Sequence, residues 1–167
     1  MDAKERWYAV YARSRHEKVV QEELRQKGIE TFLPLREVVS QWKDRKKRVQ
    51  IPLFQGYVFV RVPIHKRRLD IVKAPGVVRI IGFNNKPEPI PDEEVEAVRA
   101  FLNTKIRFDP HPYLNVGRRV EIRRGALRGL QGILVKKKNK FKFILSVHLI
   151  QQSVALEIHA SDVEPAE

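Results

Sequence analysis

The run Gln50-Ile51-Pro52-Leu53-Phe54-Gln55-Gly56-Tyr57-Val58-Phe59-Val60-Arg61-Val62 limits what this chain can fold into more than any other feature. Successive side chains of a strand point to opposite faces, so Tyr57 and Phe59 share one face while Val58, Val60 and Val62 share the other. Such a strand is apolar on both sides. Gly56, directly before it, supplies the backbone freedom of a tight turn. Trp7-Tyr8-Ala9-Val10-Tyr11 opens the chain as a second aromatic strand. These runs predict a small sheet that offers aromatic rings for another protein to cover, and no catalytic group lies among them.

The rest of the first hundred residues alternates helix and strand signals. Ser14 and Glu17 have the spacing of a capping box, and the helix that follows places Val20 and Leu24 on one face before Gly28 ends it. Ile29 to Leu35 reads as a strand, Gln41 to Arg48 as a polar, charged loop, and Val49 to Leu53 as a strand turning at Gly56 into Tyr57 to Val62. A short helix is predicted from Ile64 to Lys73, stopped by Pro75-Gly76. Val77 to Ile81 is an apolar strand and Phe83 to Pro91 a connection rich in Pro and Asn. A last helix runs from Asp92 to Asn103, its first-turn acids favoured by the helix dipole, with Val95, Val98 and Leu102 on one face.

The texture then changes. Asp109-Pro110-His111-Pro112 cannot continue a helix, so 104–113 is read as an extended linker between a domain at 1–103 and a second at 114–167. Beyond the linker only short strands are predicted, Arg119 to Arg123, Gly132 to Lys138, Phe141 to Ile150 and Val154 to Ile158, punctuated by Gly117, Gly125, Gly129 and Gly132. Short strands avoid exposed edges by closing, so a small β-barrel is expected. The fold class is α+β: an N-terminal antiparallel sheet flanked by helices, joined to a barrel of the SH3-like kind.

Composition narrows the chemistry. The chain has 33 Lys+Arg against 20 Asp+Glu, a net charge of +13, and the excess is shared by both halves. A field of this sign draws in polyanions such as nucleic acid and exceeds what solubility requires. There is no cysteine, which removes disulfides, thiol nucleophiles and thiolate metal ligands. His16, His65, His111, His148 and His159 lack metal-ligand spacing, the serines lack a nucleophile-elbow context, and no glycine motif cradles a phosphate. No enzyme, cofactor or metal is expected. With no apolar run long enough for a membrane span and a charged N-terminus, the expected location is the cytoplasm.

Four motifs in order, Trp7-Tyr8-Ala9-Val10, Phe54-Gln55-Gly56-Tyr57-Val58-Phe59-Val60, Pro75-Gly76-Val77-Val78 and Pro89-Ile90-Pro91-Asp92, resemble the N-terminal domain of NusG-type transcription elongation factors. Gly117 to Gly132 resembles the KOW motif of their C-terminal barrel, so the resemblance covers nearly the whole chain. Gln55 stands where the family usually has proline, and Ala126-Leu127 where a Pro-Phe pair is common. Ser14-Arg15-His16-Glu17-Lys18, the basic stretch around Trp42 and Leu149-Ile150-Gln151-Gln152-Ser153-Val154 are similar to the operon-specialised antiterminator paralogues of the UpxY, LoaP and RfaH kind.

The resemblance implies a monomeric factor that rides bacterial RNA polymerase. It would bind the clamp helices of the largest subunit through an aromatic hollow, favour the closed clamp and reduce pausing and termination. The hollow carries over as Tyr8, Tyr11, Phe54, Tyr57 and Phe59, with Trp7 and Tyr8 as its floor. Taken on alternation alone, Trp7 is a core residue, whereas Phe54 and Tyr57 beside their turn are read as exposed. Arg13, Arg15, His16, Lys18 and Lys73 match the surface that meets non-template DNA or nascent RNA in the specialised paralogues; a solvated helix face explains each of them equally well. Lys43 and Arg45 to Arg48 form a denser basic run, an upstream DNA contact or a loop tip. Lys66, Arg67 and Arg68 fall near the second polymerase contact. In the barrel Leu127 and Leu130 are candidates for contact with Rho or a small-subunit ribosomal protein, and Phe141, Phe143 and Ile144 either join that contact or fill the core. The equivalent region of RfaH can switch to helices; the Val, Ile and Phe content of Ile133 to Ile158 favours strands here. Two alternatives stay open: the housekeeping factor that promotes Rho-dependent termination, and a ribosome-associated KOW protein that binds RNA through Lys136 to Lys142.

Overall fold

The alternation at the start of the chain becomes strand β1 (Arg6–Ala12), followed by helix α1 (Glu17–Gln26), β2 (Glu30–Phe32), β3 (Leu35–Trp42), β4 (Arg45–Pro52) and β5 (Tyr57–Val62). Helix α2 (Ile64–Val72), β6 (Val77–Ile80), β7 (Gly82–Phe83) and β8 (Lys86–Pro87) complete the first of two units, which ends at Asp92. This is a computed structural model, and it describes residues 4–166; residues 1–3 and 167 of the expected domain spans lie outside the described residues.

In the first unit an antiparallel sheet runs in the order β2-β5-β1-β6. Tyr8, Val10 and Ala12 of β1 and Val58, Val60 and Val62 of β5 form one face, packed with Val20 and Leu24 of α1 and Ile71 of α2 in a single buried cluster. Full burial of each such aliphatic side chain contributes about 1.5–3 kcal/mol. Helix α1 ends as expected at Gly28, whose φ of 77° allows the Gly28 N–H to reach Arg25 O and the Ile29 N–H to reach Leu24 O, the paired bonds of a Schellman stop.

Its start differs from expectation. His16 is the N-cap, no side chain caps the helix, and Glu17 is buried with its carboxylate turned toward Gly56 rather than back onto the helix start. The polar stretch Gln41 to Arg48 is also no loop. It belongs to a two-stranded ribbon, β3 paired with β4 from Leu35↔Pro52 to Trp42↔Arg45, turning at Lys43 with φ 48°. One face of the ribbon is mostly exposed and the other at most half-buried, and every residue from Gln41 to Arg48 is exposed, so no apolar alternation marks that stretch in the sequence. The Phe83 to Pro91 connection likewise contains the β7–β8 hairpin, with Asn84 and Asn85 both at positive φ as a tight hairpin turn needs.

The second unit begins at Glu93 and takes in nearly all of helix α3 (Asp92–Leu102). It continues through β9 (Phe108–His111), β10 (Arg118–Ile122), β11 (Gln131–Lys137), β12 (Lys140–Val147), β13 (Gln152–Ile158) and β14 (Val163–Pro165). The chain therefore divides ahead of the expected boundary at residue 103. Phe101 of α3 lies 6.1 Å from the Phe143 ring of β12, and both are fully buried. The buried face of α3 is Val95, Ala97, Val98 and Phe101, so Leu102 is displaced from the role expected for it. The expected linker holds β9, which pairs with β13 at the sheet edge. An edge strand tolerates Pro110, because its missing N–H can face away from the ladder.

All the ladders of this sheet are antiparallel, in the order β14-β10-β11-β12-β13-β9. Ile133, Ile144 and Ala155 are buried on one face; Leu134, Phe143 and Leu156 are buried on the other. At one end Ser146 Oγ donates to Leu114 O at 2.8 Å, Ser153 Oγ accepts from Leu114 N–H at 3.2 Å, and the two hydroxyls lie 2.6 Å apart. Buried Ser153 thus satisfies a loop backbone that has no strand partner. The region rich in Val, Ile and Phe is strand, and Phe143 and Ile144 fill the core.

Candidate functional site

The first unit's aromatic turn is built on one glycine. Phe54 O accepts from Tyr57 N–H at 3.2 Å, and Gly56 between them sits at φ 90°. Both polar groups of Gly56 are held: its carbonyl accepts from Ala12 N–H at 2.8 Å, and its N–H donates to Glu17 Oε2 at 2.9 Å. A Cβ on Gly56 would stand 2.8 Å from Tyr11 Cε1. The bare backbone is therefore the surface on which the Tyr11 ring lies.

Tyr11 and Tyr57 are directly opposed across β1 and β5, with ring centroids 5.4 Å apart and planes tilted by 51°. Such a pair is worth about 0.5–1.5 kcal/mol beyond its buried area. Tyr11 remains 37% exposed and Tyr57 is half-buried. The Arg79 guanidinium of β6 stands 6.0 Å from the Tyr11 ring centroid. Burial, reinforced by Tyr11, raises the Tyr57 phenol above its ordinary 10.0, with Arg79 opposing.

The other rings expected in a hollow lie inside. Phe54 and Phe59 are each 1% exposed and Trp7 is 3% exposed. With half-buried Phe32 they form a chain of rings in which Trp7 meets Phe32 edge-on at 6.4 Å, Phe32 stacks on Phe59 at 6.0 Å, and Phe59 meets Phe54 edge-on at 6.3 Å. The expectation that Phe54 is exposed is thus corrected, because it turns back beneath the turn against Phe59. Tyr8 is buried on the opposite, helix-packed face, since strand alternation sends it there with Val10. Only Tyr11 and Tyr57 of the expected set reach the surface.

Beside this pair is a groove of about 660 Å³ lined by Tyr11, Ser14, Arg15, Lys18, Gln50 and Gln55, among others. Arg13, Arg15, His16 and Lys18 are all exposed around the start of α1. Arg15 takes φ 64°, His16 Nδ1 lies 2.9 Å from Ser14 O, and Lys18 Nζ donates to Gln50 O at 2.7 Å, tying α1 to the end of β4. The Arg13 N–H donates to Gly76 O, so the Pro75-Gly76 turn is fastened at the same end of the helix; Lys73, at the C-cap of α2, is exposed just before that turn.

Of Lys66, Arg67 and Arg68, the first and last are exposed and the middle one is held against its neighbours. Arg67 is half-buried, pairs with Asp70 at 2.9 Å and donates to Lys27 O at 2.6 Å, which fastens α2 to the end of α1. Arg68 donates to Asn85 O at 2.7 Å, and Lys66 is exposed. In the second unit Leu127 is 4% exposed, a core residue rather than a contact, while Leu130 is half-buried. Lys136, Lys137, Lys138 and Lys140 are exposed at the β11–β12 hairpin, where Lys137 directly opposes Lys140.

Sequence reasoning did not assign Glu17 and Arg79 to this site. A signal existed for the first: Glu17, Val20 and Leu24 are spaced as one helix face, so an acid stands on the buried stripe. Arg79 gave none, because its place over Tyr11 follows from the pairing of β6 with β1. Among the described residues no group of acids and histidines could hold a metal, and no helix is long and apolar enough to cross a membrane.

The chain is 28% identical over 182 residues to the transcription termination/antitermination protein NusG of Escherichia coli strain K12, covering 98% of this chain and 97% of that protein. It is 27% identical to its counterpart in Vibrio vulnificus strain CMCP6, over 96% of each chain. A solved structure described as domain interaction in Thermotoga maritima NusG shares the fold, with a TM-score of 0.61 at 21% identity over 98% of both chains. Residues 5–99, more than half of the 167, match the family described as transcription termination factor nusG, and the chain belongs to that family of transcription regulators.

Proposed function

We propose that this chain is a cytoplasmic, non-catalytic elongation factor of the antiterminator kind, acting as a monomer on RNA polymerase. The observation that carries the reading is the Tyr11–Tyr57 pair, set at the surface by a glycine turn whose backbone is bonded on both sides. Paired tyrosines offer large apolar area with few rotors to freeze, the composition favoured at protein contacts. The clamp helices of the largest polymerase subunit are the proposed partner, with Phe54 and Phe59 supporting the pair from within. A factor that binds the closed clamp better than the paused one shifts the population by that difference in affinity alone. No bond need be made or broken.

Arg13, Arg15, His16, Lys18 and Lys73 supply phosphate attraction for non-template DNA or nascent RNA beside the same turn. Exposed Lys66 and Arg68 are the candidates for the second polymerase contact, Arg67 being tied to Asp70 and Lys27 O. The second unit contacts Rho or a small-subunit ribosomal protein, with Leu130 rather than Leu127 as the contact residue. The exposed lysines of the β11–β12 hairpin favour one further reading, RNA binding by that unit as in a ribosome-associated KOW protein. The housekeeping role, promoting Rho-dependent termination, uses the same polymerase contact.

Capture of RNA polymerase on immobilised protein separates these readings. Tyr57→Ala is expected to weaken capture about tenfold or more, and the wild-type contact to persist at salt that removes phosphate binding. Unchanged capture by Tyr57→Ala together with steep loss in salt overturns the polymerase reading in favour of RNA. In vitro transcription with and without Rho then separates readthrough from termination.

A further inference from the structure

We propose that Glu17 is a positioning residue: its buried carboxylate holds the Gly56 turn, and through it the Tyr11–Tyr57 pair, in the geometry the pair presents to a partner. Glu17 is 5% exposed, one of only two buried polar or charged residues among those described, and its Oε2 accepts the Gly56 N–H at 2.9 Å across a separation of 39 residues. A carboxyl group is removed from water at a cost unless the site bonds it, and here, in the first turn of α1, the Gly56 N–H supplies that bond. An aliphatic residue at this place on the helix stripe would pack with Val20 and Leu24 without that cost. What the acid adds is a fixed point for the turn.

The turn needs one. Gly56 at φ 90° has the widest backbone freedom of any residue, and Gln55 before it is exposed. The Ala12 N–H fixes the Gly56 carbonyl, which leaves rotation of the preceding peptide unit open. The Glu17 bond closes that motion. The Gly56 backbone is the floor under the Tyr11 ring, and the next residue is Tyr57, so a tilt of this peptide moves both rings. Glu17 also sits on the helix that bears Lys18, itself bonded to Gln50 O. Glu17 thus links the helix that bears Lys18 directly to the turn that carries the aromatic pair.

The function of this geometry rests on the polymerase reading, but the geometry can be measured without it. In the full-length protein, Glu17→Ala is expected to accelerate hydrogen exchange of the Gly56 amide at least tenfold and to weaken the ring-to-ring NOEs between Tyr11 and Tyr57. Polymerase affinity should fall about tenfold, the scale of one charge-assisted hydrogen bond. Glu17→Gln keeps an acceptor oxygen at the same reach and should restore exchange, NOEs and affinity to within about threefold of wild type. Glu17→Asp keeps the charge but shortens the reach, and should behave as Glu17→Ala does; it serves in place of the alanine variant if that fails to fold. The positioning role is overturned if Gly56 exchange and the Tyr11–Tyr57 NOEs survive Glu17→Asp, or if Glu17→Gln is as damaged as Glu17→Ala. If exchange and NOEs respond as expected while neither Glu17→Ala nor Tyr57→Ala alters capture, Glu17 still positions the pair and the polymerase reading alone fails.

Discussion

Replacing Gly56 by alanine tests whether the turn is fixed by its backbone angle alone or also by the ring above it. At φ 90° an L side chain strains the backbone by about 1–2 kcal/mol. The new Cβ would also stand 2.8 Å from Tyr11 Cε1, and overpacking of that order costs about 1–3 kcal/mol more. The expected loss is therefore about 2–5 kcal/mol. Gly28 provides the control, because it has φ 77° and nothing within 4 Å of its Cβ position, so Gly28→Ala should cost only the backbone part. The chain has two tryptophans, of which Trp7 is 3% exposed and Trp42 is 59% exposed. Urea unfolding followed by Trp7 fluorescence in a Trp42→Phe background reports the first unit. In that background Gly56→Ala should exceed Gly28→Ala by about 1–3 kcal/mol, and the excess should vanish when Tyr11→Ala is added. Equal losses for the two glycines, or an excess that survives without the Tyr11 ring, would refute the close approach of the Tyr11 ring to the Gly56 backbone.

Two further outcomes follow from the geometry. The Tyr57 phenol is raised above 10.0 in the fold, so its contribution to stability is complete below pH 10.0 and is lost as pH rises through the raised value. Stability of the first unit against pH should show this alkaline fall, and Tyr57→Phe should remove that part of it. Ser153→Ala leaves Leu114 N–H without its acceptor beside Ser146, and should destabilise the second unit by about 1–3 kcal/mol in urea or thermal unfolding, with Ser153→Thr tested for partial rescue of the hydroxyl.

Much of the fold was legible because it rests on local patterns. Gly28 stops α1, Pro75-Gly76 follows α2, and the alternation at Trp7 to Tyr11 and Tyr57 to Val62 yields the paired central strands. Of the β3–β4 ribbon the stretch from Val49 was read as strand, whereas Gln41 to Arg48 was read as a loop because every residue there is exposed and most are charged. Residues 104–113 looked like a linker because their prolines forbid a helix, yet an edge strand accepts Pro110. At the site, Tyr11 was named only by the family resemblance; the place of Tyr57 beside a turn marked it as exposed, and Phe54 was misplaced because a residue before a turn can face either way.

Charge, the absence of cysteine, the aromatic strands and the order of motifs were determined by the sequence alone, and with them the family. Periodicity names the residues that share a face, but it does not say what lies opposite that face. Tertiary structure therefore decided that Phe54 and Phe59 are interior while Tyr11 and Tyr57 are not. It also decided that Glu17, spaced like a core residue, is a buried acceptor for an N–H on the far side of the unit's sequence. Such a bond joins residues that only the pairing of β1 with β5 and the packing of α1 bring together, and no local pattern in either segment encodes it.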